Sequence, residues 1–218
     1  MSGDSRTTAT KTEQVTDPKD PAKQSTVTTN LVLSDSTDKL FLLHDRIGVG
    51  ITGDAFIKDL PVAHYIDTFQ PNAKPLTNVQ NLANDLLTHF SSLQPTPNVA
   101  LFVGGYDSTT PSVFVVDVAK NKLERMNIDP ATENIVYGIL TGGDREVADR
   151  LLSNPKLVPP FHVMNLQDGV DYSRHLIRAT IDQLRFEPRF PTVGGPIDTI
   201  VVTSSGGTFL ARKSLHPT

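Results

Sequence analysis

The sequence predicts an α+β fold in which helices cover both outer faces of two stacked sheets, a four-layer αββα sandwich. Three observations predict it. Apolar runs rich in β-branched residues occur at hairpin spacing, apolar stripes of helical period occur in pairs, and the helix pairs alternate with the strand groups. Each strand group therefore needs the apolar face of a helix pair to cover it. At 218 residues, 38% of them hydrophobic, the chain can bury one sizeable core and is read as a single domain over 1–218. No internal repeat is evident.

Taken in order, the elements begin slowly. From Met1 to about Thr37 the chain is rich in Ser and Thr and has no aromatic residue. Such a stretch buries too little to offset its ordering entropy, so 10–36 is expected to be a polar, flexible loop. Only Leu31-Val32-Leu33 has the composition of a short strand, one side of a small hairpin. Lys39-Leu40-Phe41-Leu42-Leu43 and Arg46-Ile47-Gly48-Val49-Gly50-Ile51-Thr52 flank His44-Asp45 and predict a tight β-hairpin. Phe56, Leu60, Ala63, Tyr65 and Ile66 recur at near-helical spacing over Asp54 to Phe69, with Pro61 kinking that helix or opening a second one.

A stripe of Val79, Leu82, Ala83, Leu86, Leu87 and Phe90 predicts a helix over Asn78 to Leu93, stopped by Pro95 and Pro97. Val99–Val103, Ser112–Val118 and Lys122–Met126 then form an antiparallel meander, with turns at Gly104-Gly105-Tyr106-Asp107 and Ala119-Lys120-Asn121. Thr141-Gly142-Gly143-Asp144 leads into a helix ending near Leu152. A second helix over Leu166 to Leu184 carries Val170, Ser173, Ile177 and Ile181 on one face. After the Pro/Gly stretch from Pro188 to Pro196, Ile197–Thr203 and Thr208–Arg212 form a last hairpin around Ser204-Ser205-Gly206-Gly207.

Composition narrows the function. No run approaches the roughly twenty apolar residues of a membrane span. Zero cysteines exclude disulfides, thiolate metal sites and cysteine nucleophiles. With the absence of a signal-like start, this points to the cytoplasm. Twenty Lys and Arg against twenty-four Asp and Glu give a net charge of -4 without a basic stripe, so no nucleic-acid surface is expected. His44, His64, His89, His162, His175 and His216 lack metal-ligand spacing, and the Gly-Gly pairs lack the lysine and helix of a phosphate loop, so no metal or cofactor is expected.

Several separated segments resemble the proteasome β-subunit and its bacterial relatives, the amino-terminal-nucleophile hydrolases. Gly3-Asp4-Ser5-Arg6-Thr7-Thr8-Ala9 resembles the family segment in which Asp precedes Ser/Thr-Arg and a substrate-contacting Thr, here Thr8. Lys39 stands in the place of the family's catalytic lysine, and the match runs without a gap from Lys39 to Ala55. Gly53 falls on the oxyanion-hole glycine, and Ile51 and Ala55 on primary-pocket positions. Gly104-Gly105-Tyr106-Asp107 with Pro111 and Val115-Val116-Asp117 resembles the central hairpin. Thr141-Gly142-Gly143 resembles the Ser-Gly turn, and Val193-Gly194-Gly195 with the final hairpin resembles the C-terminal strands. The common order and spacing of these fragments carry the resemblance.

The resemblance implies a threonine/serine-type peptidase subunit of a homo-oligomeric ring that receives unfolded polypeptide, with an ATPase as partner. In that class an N-terminal Thr or Ser is activated by its own α-amine. A lysine lowers the pKa of nearby donors, an aspartate fixes the lysine, and a glycine amide faces the oxyanion. Asp4, Lys39, Gly53 and Thr141 are the implied catalytic group; Thr8, Ile51 and Ala55 would contact substrate.

The pattern departs from the family at its start, where the nucleophile and its strand are absent and Met1 falls at the end of the second strand. The expected explanation is a gene product that starts upstream, since Asp4, Thr8, Lys39 and Gly53 are all retained; the rival is a shortened, inactive member. The family's supporting Asp and Ser are also replaced, by Phe190 and Val193, with Asp182 a substitute only if 186–192 is an insertion. Other readings of function are a noncatalytic ring subunit and a small-molecule amidase of the same fold. Structural roles stand beside the catalytic ones. Asp4–Lys39 reads as a surface ion pair, Thr141 and Asp144 as a capping box, and Gly53 as a strand end.

Overall fold

A computed structural model of the chain describes residues 1–17, 20–69 and 78–213. Residues 18 and 19 of the expected 10–36 loop, and His216, lie outside the described residues. The fold is mixed α+β. Five antiparallel strands, hydrogen-bonded in the order β10-β9-β8-β5-β4, make the larger sheet: β4 (Leu40–Leu43), β5 (Ile47–Gly53), β8 (Val99–Asp107), β9 (Thr110–Asp117) and β10 (Lys122–Arg125). A smaller sheet pairs β1 (Ser2–Gly3), β11 (Asp198–Thr203) and β12 (Gly206–Ala211).

The hairpins expected at His44-Asp45 and after Pro196 form. The β4–β5 turn holds His44 and Asp45 at φ of 52° and 53°, the pair of positive φ values of a type I′ turn, which the Arg46 amide closes on the Leu43 carbonyl at 3.1 Å. The Asp45 carbonyl accepts the Gly207 amide at 2.8 Å, which ties this turn to the smaller sheet. In the meander, β8 runs through Gly104 to Asp107, where the sequence predicts a turn. Strand pairing continues to Asp107↔Thr110, and the chain reverses at Ser108 with φ of 60°.

Period-two alternation divides the larger sheet into two unlike faces. Phe41, Leu43, Ile47, Val49, Val99, Leu101, Val103, Phe114 and Val116 point one way and are buried. They pack against α1 (Val62–Phe69) and α2 (Val79–Ser91) through Val62, Ile66, Val79, Leu82, Leu86 and Phe90. Asn78 caps α2, its side chain accepting the Asn81 amide at 2.7 Å.

On the other face Gly48 lies opposite Gly104 in register, with Gly50 two residues on. A Cβ at Gly48 would stand 3.4 Å from Val202 and 3.7 Å from Ile200, so β11 lies directly over β5. The Met1 thioether lies among the same three glycines, and the Met1 ammonium donates to the Ile200 carbonyl at 2.9 Å. The opposite face of β11 meets α4 (Leu166–Leu184), where Arg174 donates to Thr199 at 3.1 Å. The deepest residues of α4 are Leu176, Thr180 and Leu184. The expected stripe of Val170, Ser173, Ile177 and Ile181 flanks them, half-buried. α3 (Glu146–Leu152) packs on α4. Among the described residues, no helix is long and apolar enough to cross a membrane.

Two expectations are corrected. The segment expected as a polar, flexible loop over 10–36 is instead a long antiparallel ribbon, β2 (Thr7–Asp17) with β3 (Asp20–Ser34). Threonine and valine recur there at β-favouring density, and strand propensity decides where burial does not. The helix expected from Asp54 starts only at Val62, directly after Pro61. Before it, β6 (Phe56–Ile57) and β7 (Leu60–Pro61) form a small ribbon turned by Lys58 and Asp59 at φ of 48° and 65°. Pro61 lacks the N–H that a continuous helix from Asp54 would need from it.

Leu86 is fully buried between α2 and the larger sheet. Leu86→Ala is expected to cost about 2–5 kcal/mol in urea unfolding, whereas Val27→Thr on the exposed ribbon should stay within about 0.5 kcal/mol.

Candidate functional site

Asp4 lies between β1 and β2, and Lys39 immediately before β4. The Lys39 ammonium donates to Asp4 Oδ1 at 2.8 Å, with the two side chains 25% and 15% exposed. Asp4 Oδ2 accepts two backbone amides, Arg6 and Gly194, each at 3.1 Å. One carboxylate thus joins the N-terminal segment, the entry to β4 and the loop before β11. Its acceptor sites are filled by a cation and two fixed dipoles, an arrangement that holds a lysine in one place.

The surroundings of Asp4 are built from residues to which the sequence reading gave no site role. Ser5 is fully buried; its amide donates to the Gly194 carbonyl at 3.1 Å and its hydroxyl to Pro196 at 2.9 Å. Arg6 makes a bidentate pair with Asp35 at 2.7 and 2.9 Å and donates to the Pro191 carbonyl at 3.2 Å. Its guanidinium lies flat on Gly194, where a Cβ would come within 2.4 Å of Arg6. The Arg6 hydrogen bond holds the Asp35 carboxyl below the usual range, and Asp35 in turn raises Arg6. The Pro/Gly stretch before β11 is therefore the cradle of the Asp4-Ser5-Arg6 segment.

Gly53 ends β5 with φ of 110°. A Cβ there would stand 2.1 Å from the Asn98 carbonyl, which accepts the Asp54 amide at 2.9 Å. Only glycine fits, because the backbone is left-handed and another backbone touches it. Ile51 connects this end of β5 to the ion pair, its amide donating to the Lys39 carbonyl at 2.9 Å. The Ile51 side chain, however, packs on the core beneath the helices, on the opposite face from Thr52. Ala55 joins the β6–β7 ribbon to α1 through a bond from Val62 at 3.1 Å. Thr8 enters the β2–β3 ribbon opposite Val32. The buried threonine is its neighbour Thr7, whose hydroxyl donates to Thr37 at 2.6 Å.

Thr141-Gly142-Gly143 lies against the face of the larger sheet opposite the helices. A Cβ at Gly142 would come within 2.6 Å of the Phe102 ring, and one at Gly143 within 3.3 Å of the Thr52 hydroxyl. Thr52, Phe102, Val115, Met126, Leu140 and Thr141 line a cleft of about 470 Å³, with Glu124 and Arg145 as its charged members. Ile51 and Ala55, expected as pocket residues, do not line it. The capping-box reading of Thr141 and Asp144 is corrected too. Helix α3 begins at Glu146 behind Arg145, with no side-chain cap.

Asp144 instead accepts from Arg189 at 2.5 Å and from the Thr192 hydroxyl at 2.6 Å. Burial acts to raise the Asp144 carboxyl, but the hydrogen bonds from Arg189 and Thr192 outweigh it and hold it below the usual range. Asp182, the expected substitute for a supporting carboxylate, is exposed on α4. Nothing in the spacing of residues 45 positions apart marked Asp144 and Arg189 as partners. Among the described residues, no group of three His, Asp or Glu side chains is gathered as a metal site requires. Compared with protein-family models and with curated proteins, the chain has no match in either.

Two outcomes follow from this geometry. Asp4→Ala is expected to cost about 2–4 kcal/mol in denaturant unfolding, because it strands two amides and a partly buried ammonium. Lys39→Ala should cost no more than about 1 kcal/mol. Asp35 and Asp144 have lowered carboxyl pKa values in the fold, so their contribution is complete above about pH 4 and is lost as pH falls through the lowered values. The melting temperature is therefore expected to drop below about pH 4, and Asp144→Asn should reduce it at neutral pH while flattening that acid limb.

Proposed function

We propose that the chain is an amino-terminal-nucleophile-type peptide hydrolase subunit, similar to the proteasome β-subunit, working in a homo-oligomeric ring on unfolded polypeptide. The observation that carries this reading is the Asp4–Lys39 pair at 2.8 Å, with Asp4 locked by the Arg6 and Gly194 amides beside the end of β5. A lysine that served only solubility would not need a carboxylate held at three points. Packing contacts run from α1 and α2 to the larger sheet, to the smaller sheet and to α4, with α3 on α4, and this order supports the αββα reading.

In this reading the Lys39 ammonium lies beside the reacting hydroxyl and favours transfer of the hydroxyl proton to a neighbouring amine. The Gly53 amide supplies the oxyanion donor, and Thr141 lines the cleft that takes a substrate side chain. The nucleophile is a Thr or Ser with a free α-amine at a strand head, a role that none of Asp4, Lys39, Gly53 and Thr141 fills. An ATPase that unfolds substrate is the expected partner. A second reading, a noncatalytic ring subunit, is favoured by Gly53, because contact with Asn98 demands glycine there whatever the chemistry.

The test is intact mass and terminal sequencing of the protein from its own cell, joined to peptide hydrolysis by that material. A terminal Thr or Ser, with turnover that Lys39→Ala reduces on the order of 10²–10⁴-fold at nearly unchanged melting temperature, is the expected result. A terminus at Met1 or Ser2 without peptide cleavage would replace the catalytic reading by the noncatalytic one.

A further inference from the structure

Among the described residues, no layer packs beneath the β2–β3 ribbon. Residues 10–16 and 24–33 are exposed throughout, including Val15, Val27, Leu31, Val32 and Leu33. Register is unbroken from Thr8 to Thr16, about 30 Å of strand at ~3.4 Å per residue. Two strands in water are marginal unless a third strand or another layer joins them, and a long open edge is a template for another chain.

The outer edge of β2 is complementary to itself. In the antiparallel arrangement related by a two-fold axis through Thr12, Thr8 falls opposite Thr16, Ala9 opposite Val15, Thr10 opposite Gln14, and Lys11 opposite Glu13 of the second copy. Apolar meets apolar, hydroxyl meets hydroxyl or amide, and both charges are matched twice by symmetry. Moving the axis by one residue sets Lys11 against Lys11 or Glu13 against Glu13. Because opposite residues share a face, the side bearing Thr8, Thr10, Thr12 and Thr16 continues across the join. The other edge, β3, has no charged residue between Gln24 and Ser34 and no comparable register signal. Lys11 and Glu13 pair with each other in the single chain and are 61% and 55% exposed, free to exchange partners.

We infer that two copies of this chain associate through β2, edge to edge, forming a four-stranded antiparallel sheet centred on Thr12. The inference does not depend on the catalytic reading, since an assembly through other faces would not sense the charges at 11 and 13.

The experiment is sedimentation equilibrium at low salt on the whole chain, with K11E and E13K variants alone and mixed. Each variant places like charges opposite one another twice and is expected to weaken association on the order of tenfold. An equimolar mixture restores it, because every 11–13 contact then joins Glu to Lys. In the cysteine-free background, T12C should crosslink into a covalent dimer on mild oxidation, since directly opposed residues lie within disulfide reach, and T10C should not. A chain monomeric at 100 micromolar (~10⁻⁴ M,), an association indifferent to K11E and E13K, a mixture that fails to recover, or crosslinking of T10C as readily as T12C would each overturn the inference.

Discussion

The Asp4 carboxylate is the point at which three distant parts of the chain meet. Its two oxygens accept from Lys39, from the Arg6 amide and from the Gly194 amide, one from each segment. Removing it would leave an ammonium and two amides to find water in a place only partly open to it. The bidentate Arg6–Asp35 pair and the buried Ser5 reinforce the same junction from either side. The segment from Asp4 to Arg6 is therefore held by backbone and ionic bonds rather than by apolar burial.

Beyond that junction, the two faces of the larger sheet work by opposite means. Toward α1 and α2, large side chains interlock; toward β11, Gly48, Gly50 and Gly104 leave the backbone bare, so that Ile200, Val202 and Met1 lie directly on it. A bare strand surface lets two sheets approach without a layer of interdigitated side chains between them. The Gly142 backbone uses the same device farther along, lying against the Phe102 ring in the lining of the cleft.

Much of the architecture was legible because its signals are local. The stripe from Val79 to Phe90, the His44-Asp45 turn and the final hairpin each declare themselves within one short stretch of chain. The β2–β3 ribbon was misjudged because its low apolar content outweighed its threonine and valine alternation, and such strands are recognised by propensity rather than by burial. Asp4 and Lys39 were found as a pair by resemblance, not by spacing. The Arg6–Asp35 and Asp144–Arg189–Thr192 bonds were missed because ion pairing over long separations leaves no mark on periodicity. Ile51 packs on the core beneath the helices while its neighbour Thr52 faces the cleft, an alternation that the strand period alone sets.

The glycine seam has a mechanical consequence. A seam of interlocked large side chains resists sideways movement, since every displaced knob leaves a hole. A seam laid over glycines is smooth and offers little such resistance. Lateral registry of the smaller sheet therefore falls to its perimeter: Lys39 on Asp4, Arg6 on Asp35, and Lys213 between Asp38 and the buried Asp198. Cohesion of the two sheets comes from apolar contact, and their alignment from these ion pairs together with the Gly207–Asp45 backbone bond. Ionic strength, which leaves the first almost untouched, acts through the exposed members of that perimeter on the second.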